Sequence, residues 1–281
     1  MVSDRRSMEN RKRGGIGARP QSSAGGPVKY RYIKSAPRTQ DKEALVFGVQ
    51  SVLETLRSDK DIDKVMVQRE FSHAEVEKLA KERDVPVQRV PVEKLNQITG
   101  KNHQGVIAFI SAVSYAKLSN VVATAFESGQ VPVVLMLDRV TDVRNFGAIA
   151  RTAECMGVHG LVVPSRGGAA INSDAMKTSS GALNFIPVCR EPDLVRAVEE
   201  LKLSGFQVVS VTEKGTGFPQ NIDFQIPTVL IMGSEEDGIS DGLLERSDVA
   251  VRIPMVGQVS SLNVSVAAGM LLYELVRQKN Q

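Results

Sequence analysis

Read from Asp41 onward, the apolar positions alternate between a helical and a strand-like spacing. In KEALVFGVQSVLETLRS, Leu45, Val49, Val52, Leu53 and Leu56 fall on one helical stripe. DKVMVQ then reads as a strand, SHAEVEKLAKERD as an exposed helix capped by Ser72, and PVQRVP as a second strand. VEKLNQITG reads as a short helix ending at Gly100, and GVIAFIS as a closing strand. This alternation predicts a small α/β unit over residues 41–113, with 114–128 (within SYAKLSNVVATAFESGQ) as a connector followed by a helix. From residue 129 the predicted strands become more strongly apolar: VPVVLMLD, HGLVVP, NFIPVC, QVVSVT, PTVLIMG and VAVRIP. Near-continuous apolar strands separated by helices indicate a parallel sheet covered on both faces. Ligands bind such sheets at the carboxyl ends of the strands. Chemistry is therefore expected in the loops after VLMLD, VLIMG and VRIPM.

Composition narrows the class. The chain has 281 residues, enough for two domains, and 42% hydrophobic with 24% charged residues describes a globular protein. No run approaches the roughly 18 uninterrupted apolar residues of a membrane span. Cys155 and Cys189 are the only cysteines, too few for a disulfide framework or a cysteine metal site, so a reducing cytoplasm is expected.

Charge adds a separate segment. Through residue 40 the chain carries ten basic residues against Asp4 and Glu9, a net of +8, which leaves −5 for the remainder of a chain whose total is +3. A stretch such as RKRGGIGARPQSSAGGP buries too little apolar surface to fold alone. Residues 1–40 are expected to form a disordered, polyanion-binding arm whose contribution to RNA affinity falls with salt. A secretory signal would need an apolar core that is lacking here, and the glycines oppose the amphipathic helix of a transit peptide.

Most cofactor signatures are absent from the sequence. No G-x-G-x-x-G links a strand to a helix, there is no Walker A and no G-x-S-x-G elbow, and His73, His103 and His159 are scattered, so no metal is expected. Three strand-to-loop junctions remain. In LDRVTDVRNFGAIARTAECMG, Asp142 or Asn145 caps a helix whose Gly147, Ala148 and Ala150 allow close packing, and Arg151 stands out among small residues. In LIMGSEEDGIS, Gly233 lets a ligand approach the backbone, with Glu235 close behind. In GQVSSLNVSVA, Ser260, Ser261 and Asn263 offer more capping side chains than the following helix needs. Taken singly, each junction reads equally as a surface arginine, a solvated turn and an over-capped helix.

Together the junctions resemble the three motifs of the SpoU family of RNA ribose 2′-O-methyltransferases, within the SPOUT class. RNFGAIAR corresponds to the first motif, GSEEDG to the Gly-x-Glu turn of the second, and IPMVGQVSSLNVSVA nearly letter for letter to the third. The departure is Glu236, where relatives usually carry glycine. The resemblance implies a C-terminal parallel-sheet SPOUT domain over residues 129–281 with a deep trefoil knot, preceded by a small ribosomal-protein-like α/β domain that binds RNA. It implies S-adenosylmethionine as the cofactor, bound near Gly233, Ile253, Met255, Leu262 and Asn263. It also implies that Arg151, Asn145, Glu235, Ser261 and Asn263 form the catalytic set. Arginine has a pKa above ~12, so Arg151 reads as a ligand for phosphate or developing alkoxide charge rather than a base, with Glu235 orienting it or another cation. A homodimer is implied, and the helix AAGMLLYELVRQ is apolar on nearly every side, which fits such a contact and burial within one subunit nearly as well.

The two-domain form is most like enzymes that methylate a guanosine ribose in 23S rRNA. A tRNA ribose methyltransferase is the alternative within the family. A non-catalytic RNA-binding assembly factor is the alternative outside it, and donor binding separates the two classes. RNA, rather than DNA or a membrane, is the expected partner.

Overall fold

The computed structural model describes residues 45–70, 72–259 and 261–280. The basic segment through residue 40 and Ser260 lie outside the described residues.

The N-terminal part holds β1 (Leu45–Phe47), α1 (Val49–Arg57), β2 (Ile62–Gln68), α2 (Ala74–Glu82), β3 (Val87–Val90), α3 (Val92–Ile98) and β4 (Val106–Ile110). Its four strands form a sheet in the order β1-β4-β2-β3. The helical stripe expected to begin at Leu45 begins at Val49 instead. Leu45–Phe47 pair antiparallel with Ile107–Phe109, and Gly48, at φ 88°, turns the chain from strand to helix in a region that favours glycine. The amide of Val49 donates to Gln104 Oε1 at 3.0 Å, so the start of α1 is capped from the far end of this unit. Ser72 does not cap α2: His73 occupies the cap position and makes no side-chain cap bond.

The C-terminal part begins with β5 (Tyr115–Ala116), a two-residue edge strand within the stretch expected to be a connector, followed by α4 (Leu118–Glu127). Then come β6 (Val133–Leu137), α5 (Val143–Cys155), β7 (Gly160–Pro164), α6 (Ser173–Thr178), β8 (Val188–Glu191), α7 (Leu194–Leu203), β9 (Gln207–Val211), β10 (Thr228–Met232), α8 (Asp241–Leu244), β11 (Val249–Val251) and α9 (Val264–Lys279). The large sheet runs β11-β9-β10-β6-β7-β8-β5, and its pairings are parallel.

Every residue of β6 and β10 is buried, as a centre covered on both faces demands. Alternation assigns the side chains to two layers. Val133, Leu135 and Leu137 join α5 and α9 in one core, while Val134 and Met136 join α4 and α7 in the other. Gly147 makes the first layer possible, because a Cβ there would lie 2.7 Å from Thr178 and 3.0 Å from the Ala175 carbonyl of α6. At the sheet edge the segment after β9 closes tightly on β11. Thr212 donates to the Val251 carbonyl at 2.9 Å, and a Cβ on Gly215 would lie 2.5 Å from the carbonyl carbon of Val251.

His159 joins the entry to β7 with the entry to β6. Its Nδ1 accepts from the Val133 amide at 3.0 Å, and its Nε2 lies 2.8 Å from Gln130 Oε1, so the ring is neutral with Nε2 as donor. Burial, aided by the positive charge of Lys279, lowers its pKa to about 4. The unfolded chain, with an ordinary histidine pKa near 6.5, therefore takes up this proton first as pH falls. Stability contributed by neutral His159 is present above about pH 6.5 and is lost progressively toward pH 4. His159→Gln is expected to flatten this part of the profile, measured as urea midpoints of wild type and variant at pH 7.5, 6 and 5. Parallel profiles for the two proteins would refute it.

Candidate active site

The three loops singled out in the sequence leave the carboxyl ends of β6, β10 and β11. After β6, Asp142 caps α5: its Oδ1 accepts from the amides of Arg144 at 2.7 Å and Asn145 at 2.9 Å. Of the two candidate caps the aspartate is used, which leaves the Asn145 side chain available. After β10, Ser234 and Gly238 exchange backbone hydrogen bonds of 3.0 and 3.1 Å, closing a tight turn that carries Glu235. Gly233 is obligatory at its base, since a Cβ there would lie 2.1 Å from the carbonyl carbon of Gly238. After β11 the chain runs largely exposed until Asn263 caps α9, its Oδ1 accepting from the Ser265 amide at 3.0 Å and the Ser265 hydroxyl at 2.6 Å.

The amides of Asn145 and Asn263 converge on one carboxylate. Asn145 Nδ2 donates to Glu235 Oε1 at 2.7 Å, and Asn263 Nδ2 donates to the same oxygen at 2.9 Å and to Asn145 Oδ1 at 3.0 Å. Asn263 thereby uses both amide hydrogens and both oxygen lone pairs, so it serves as the joint of the cluster as well as the helix cap. Glu235 Oε2 and the second amide hydrogen of Asn145 have no partner among the described residues. These are the polar atoms the cluster leaves open, at its exposed rim.

Arg151 does not join them. It is exposed, has no hydrogen bond or ion pair among the described residues, and lies six residues beyond Asn145 on α5, about 9 Å along the helix axis. The expected orientation of Arg151 by Glu235 is therefore not what the fold builds: the carboxylate holds two neutral amides instead. Ser261 is exposed and likewise lacks a partner among the described residues. Ile253 is half-buried against the core of the large sheet, whereas Met255 and Leu262 are 40% and 38% exposed. The backbone amides and carbonyls of these three residues have no partner among the described residues. Each of the three thus offers a free backbone donor and acceptor next to an apolar side chain.

Two further residues shape the site. Buried Asp138 accepts from the Ser240 amide at 2.7 Å. Arg139, at φ 58°, reaches Asp237 Oδ2 at 3.2 Å and the Gly238 carbonyl at 3.1 Å, bracing the Glu235 turn from the β6 side. An Asp-Arg pair directly after five apolar residues was the only signal for them in the sequence, and it does not reveal partners about a hundred positions away.

Removing the Asn263 side chain separates its two duties. Asn263→Ala is expected to cost about 1 kcal/mol through the lost cap. Releasing Glu235 and Asn145 from fixed geometry is expected to cost about a hundredfold in turnover. Urea midpoints and initial rates of tritiated methyl transfer to RNA check the two effects; a rate loss no larger than the stability loss implies would contradict the assignment.

Comparison with known proteins bears on this geometry. Residues 132–273 match the profile of the SpoU rRNA Methylase family, which spans all three junctions. The chain belongs to the SpoU rRNA methylase family. Residues 45–116 match the RNA 2′-O ribose methyltransferase substrate binding family. A Bacillus subtilis (strain 168) relative named as a TrmH family tRNA/rRNA methyltransferase, YacO, is 37% identical over 238 residues, covering 84% of this chain and 96% of the relative. Among solved structures, the SpoU methyltransferase AviRb from Streptomyces viridochromogenes in complex with AdoMet is 26% identical. It matches with a TM-score of 0.54 over 85% of this chain and 91% of its own. An AdoMet-bound rRNA methyltransferase from Sinorhizobium meliloti is 25% identical, with a TM-score of 0.53 over 83% of this chain and 86% of its own. The A. aeolicus TrmH/SpoU tRNA modifying enzyme is 32% identical with a TM-score of 0.50, covering 57% of this chain and 85% of its own.

The α/β architecture with a parallel sheet is thus shared with SpoU methyltransferases of known structure. Among the described residues of this SpoU-family chain, no helix is long and apolar enough to cross a membrane, and no group of three or more His, Cys, Asp or Glu is placed to hold a metal ion.

Proposed function

We propose that this SpoU-family chain methylates the 2′-hydroxyl of an RNA ribose from S-adenosylmethionine, with a guanosine of 23S rRNA as target. The observation that carries the reading is the convergence of Asn145, Glu235 and Asn263 from the first turn of α5, the loop after β10 and the start of α9, with the unpaired backbone of Ile253, Met255 and Leu262 on the adjoining stretch of chain. That stretch suits the donor, because an adenine edge and an amino-acid group need backbone donors and acceptors with apolar surface alongside. Ile253, Met255 and Leu262 supply both, and Gly233 lets the turn that carries Glu235 close tightly beside them.

S-adenosylmethionine supplies a methyl already activated on a sulfonium, so the chain contributes mainly by positioning and by stabilising charge. Glu235 Oε2 and the free Asn145 amide hydrogen hold the ribose, with the carboxylate oxygen accepting from the 2′-hydroxyl. Ser261 adds a hydroxyl at the rim. Arg151 binds the adjacent phosphate or the developing alkoxide, and it stays protonated throughout because its pKa exceeds ~12.

The separation of Arg151 from the amide–carboxylate cluster supports a site shared between two copies, Arg151 of one serving the cluster of the other. A homodimer also accounts for the exposed face of α9, where Val266, Met270 and Tyr273 are 51%, 47% and 63% exposed at helical spacing. The trefoil knot is proposed where the chain beyond β11 passes the segment 212–217, and the close approach of Gly215 to Val251 supports it. The remaining assignments are residues 1–40 as a basic RNA-binding tail, 41–113 as the RNA-binding domain, 114–128 as linker and 129–281 as the methyltransferase domain. Unpaired Cys155 and buried Cys189, its thiol pushed up to about 12 by burial, suit the reducing cytoplasm.

The rRNA target is favoured over tRNA because the Sinorhizobium rRNA enzyme matches across 83% of this chain, against 57% for the A. aeolicus tRNA enzyme. Mapping 2′-O-methyl sites by mass spectrometry in rRNA and tRNA from a deletion strain, before and after incubation with protein and tritiated donor, tests the reading. Restoration of one ribose methyl in 23S rRNA supports it. Restoration only in tRNA overturns the target, and absence of donor binding by calorimetry overturns the activity in favour of an RNA-binding assembly factor.

A further inference from the structure

The small and large sheets have separate apolar cores. Val52, Leu56, Val65 and Val106 belong to one cluster and Leu135, Ile149 and Leu161 to another, and no cluster of buried residues spans both sheets among the described residues. Apolar packing therefore does not set the angle between the sheets. A polar cluster bridges them instead. Arg190, on β8 of the large sheet, donates from Nη1 to the carbonyls of Ile62 at 2.7 Å and Asp63 at 3.3 Å, where β2 of the small sheet begins. Its guanidinium lies 4.2 Å from the ring centroid of Tyr115, and the Tyr115 hydroxyl donates to Asp63 Oδ1 at 3.2 Å. One backbone bond, from the Ala112 amide to the Ile171 carbonyl at 3.0 Å, completes the joint. A cavity of about 40 Å³, lined in part by Asp63, Phe109 and Ile171, is left beside it, so the joint is not close-packed.

A planar guanidinium held at two carbonyls and stacked on a ring has little angular freedom. Tyr115 is held in turn by β5, whose Tyr115–Ala116 pair with Val188–Cys189 just before Arg190. The cluster thus ties the start of β2 to the edge of the large sheet through residues that play no part in the chemistry.

We propose that Arg190, braced by Tyr115 and Asp63, is a positioning residue that fixes the RNA-binding sheet at a set angle to the catalytic sheet, so that RNA held by the first presents its ribose to the second. The inference rests on the function proposed above for where the RNA binds. The physical joint can be tested without activity.

In Arg190→Ala, hydrogen exchange at the Ala112 amide is expected to rise at least about tenfold, while exchange within β6 and β10 stays unchanged. KM for 23S rRNA is expected to rise about tenfold or more, with kcat at saturating RNA and donor affinity by calorimetry within about twofold of wild type. Arg190→Lys, which retains a donor for the Ile62 carbonyl but no planar fork, should fall between wild type and alanine on both readouts. It carries the test if the alanine variant does not fold.

Unchanged exchange at the Ala112 amide would overturn the joint. A fall in kcat and donor affinity together, with KM unchanged, would overturn the positioning role and mark Arg190 as a general fold contact. Should the wild type methylate no RNA, the proposed function fails, while the exchange measurement still decides whether Arg190 holds the two sheets.

Discussion

Arg151→Ala is expected to reduce methyl transfer by a factor of about 10² to 10³, the loss typical when one preorganised charge-stabilising donor is removed. Folding should be nearly untouched. The side chain is exposed and unbonded among the described residues, and substitutions at such positions usually stay within about 0.5 kcal/mol. Arg151→Lys keeps the charge but loses the planar fork, so its rate should recover only in part if a phosphate is held at two points. Initial rates with tritiated donor and 23S rRNA, beside urea midpoints, give both numbers. Full activity in the alanine variant would remove Arg151 from the catalytic set and leave Asn145, Glu235 and Asn263 as a positioning cluster only.

Gly233→Ala is expected to lower stability by about 3 kcal/mol or more. The new Cβ would lie 2.1, 2.3 and 2.4 Å from Gly238 C, Ile239 N and Gly238 O, all backbone atoms with no rotamer to escape into. The turn can only open, which breaks the Ser234–Gly238 bond pair and carries Glu235 away from the two asparagines. Activity should therefore fall with stability. Gly257→Ala is the control: nothing lies within 4 Å of a Cβ there, so its urea midpoint should match wild type. A Gly233→Ala protein as stable as wild type would mean that the turn is not closed as described.

The central strands were legible in the sequence because their burial is two-sided. VVLML and VLIM are uninterrupted apolar runs, and every residue in them is buried. The first two junctions could be read for the same reason, since each follows such a run, whereas the third follows the half-buried edge strand β11. Legibility failed where a single backbone angle or a very short element decided the outcome. A helical stripe from Leu45 is good periodicity, but the positive-φ turn at Gly48 makes Leu45–Phe47 a strand and starts the helix at Val49. Tyr115–Ala116 is too short to show any alternation, yet it closes one edge of the large sheet.

The candidate site divides along the same line. Asn145, Glu235 and Asn263 stood out as residue types in suspicious places, and opposite charge suggested that Glu235 would pair with Arg151. The fold instead brings together two amides and a carboxylate separated by 90 and 118 positions. Among the described polar residues before α9, only Asn263 reaches both its own helix start and the cluster.

By itself the sequence determined which strands are buried, where the loops leave the sheet and which side chains offer chemistry, because these follow from local periodicity and residue type. Only the tertiary structure decided which polar groups satisfy one another. That choice depends on how the sheet order places the ends of β6, β10 and β11, so that Glu235 Oε1 meets both asparagine amides while Arg151 points elsewhere.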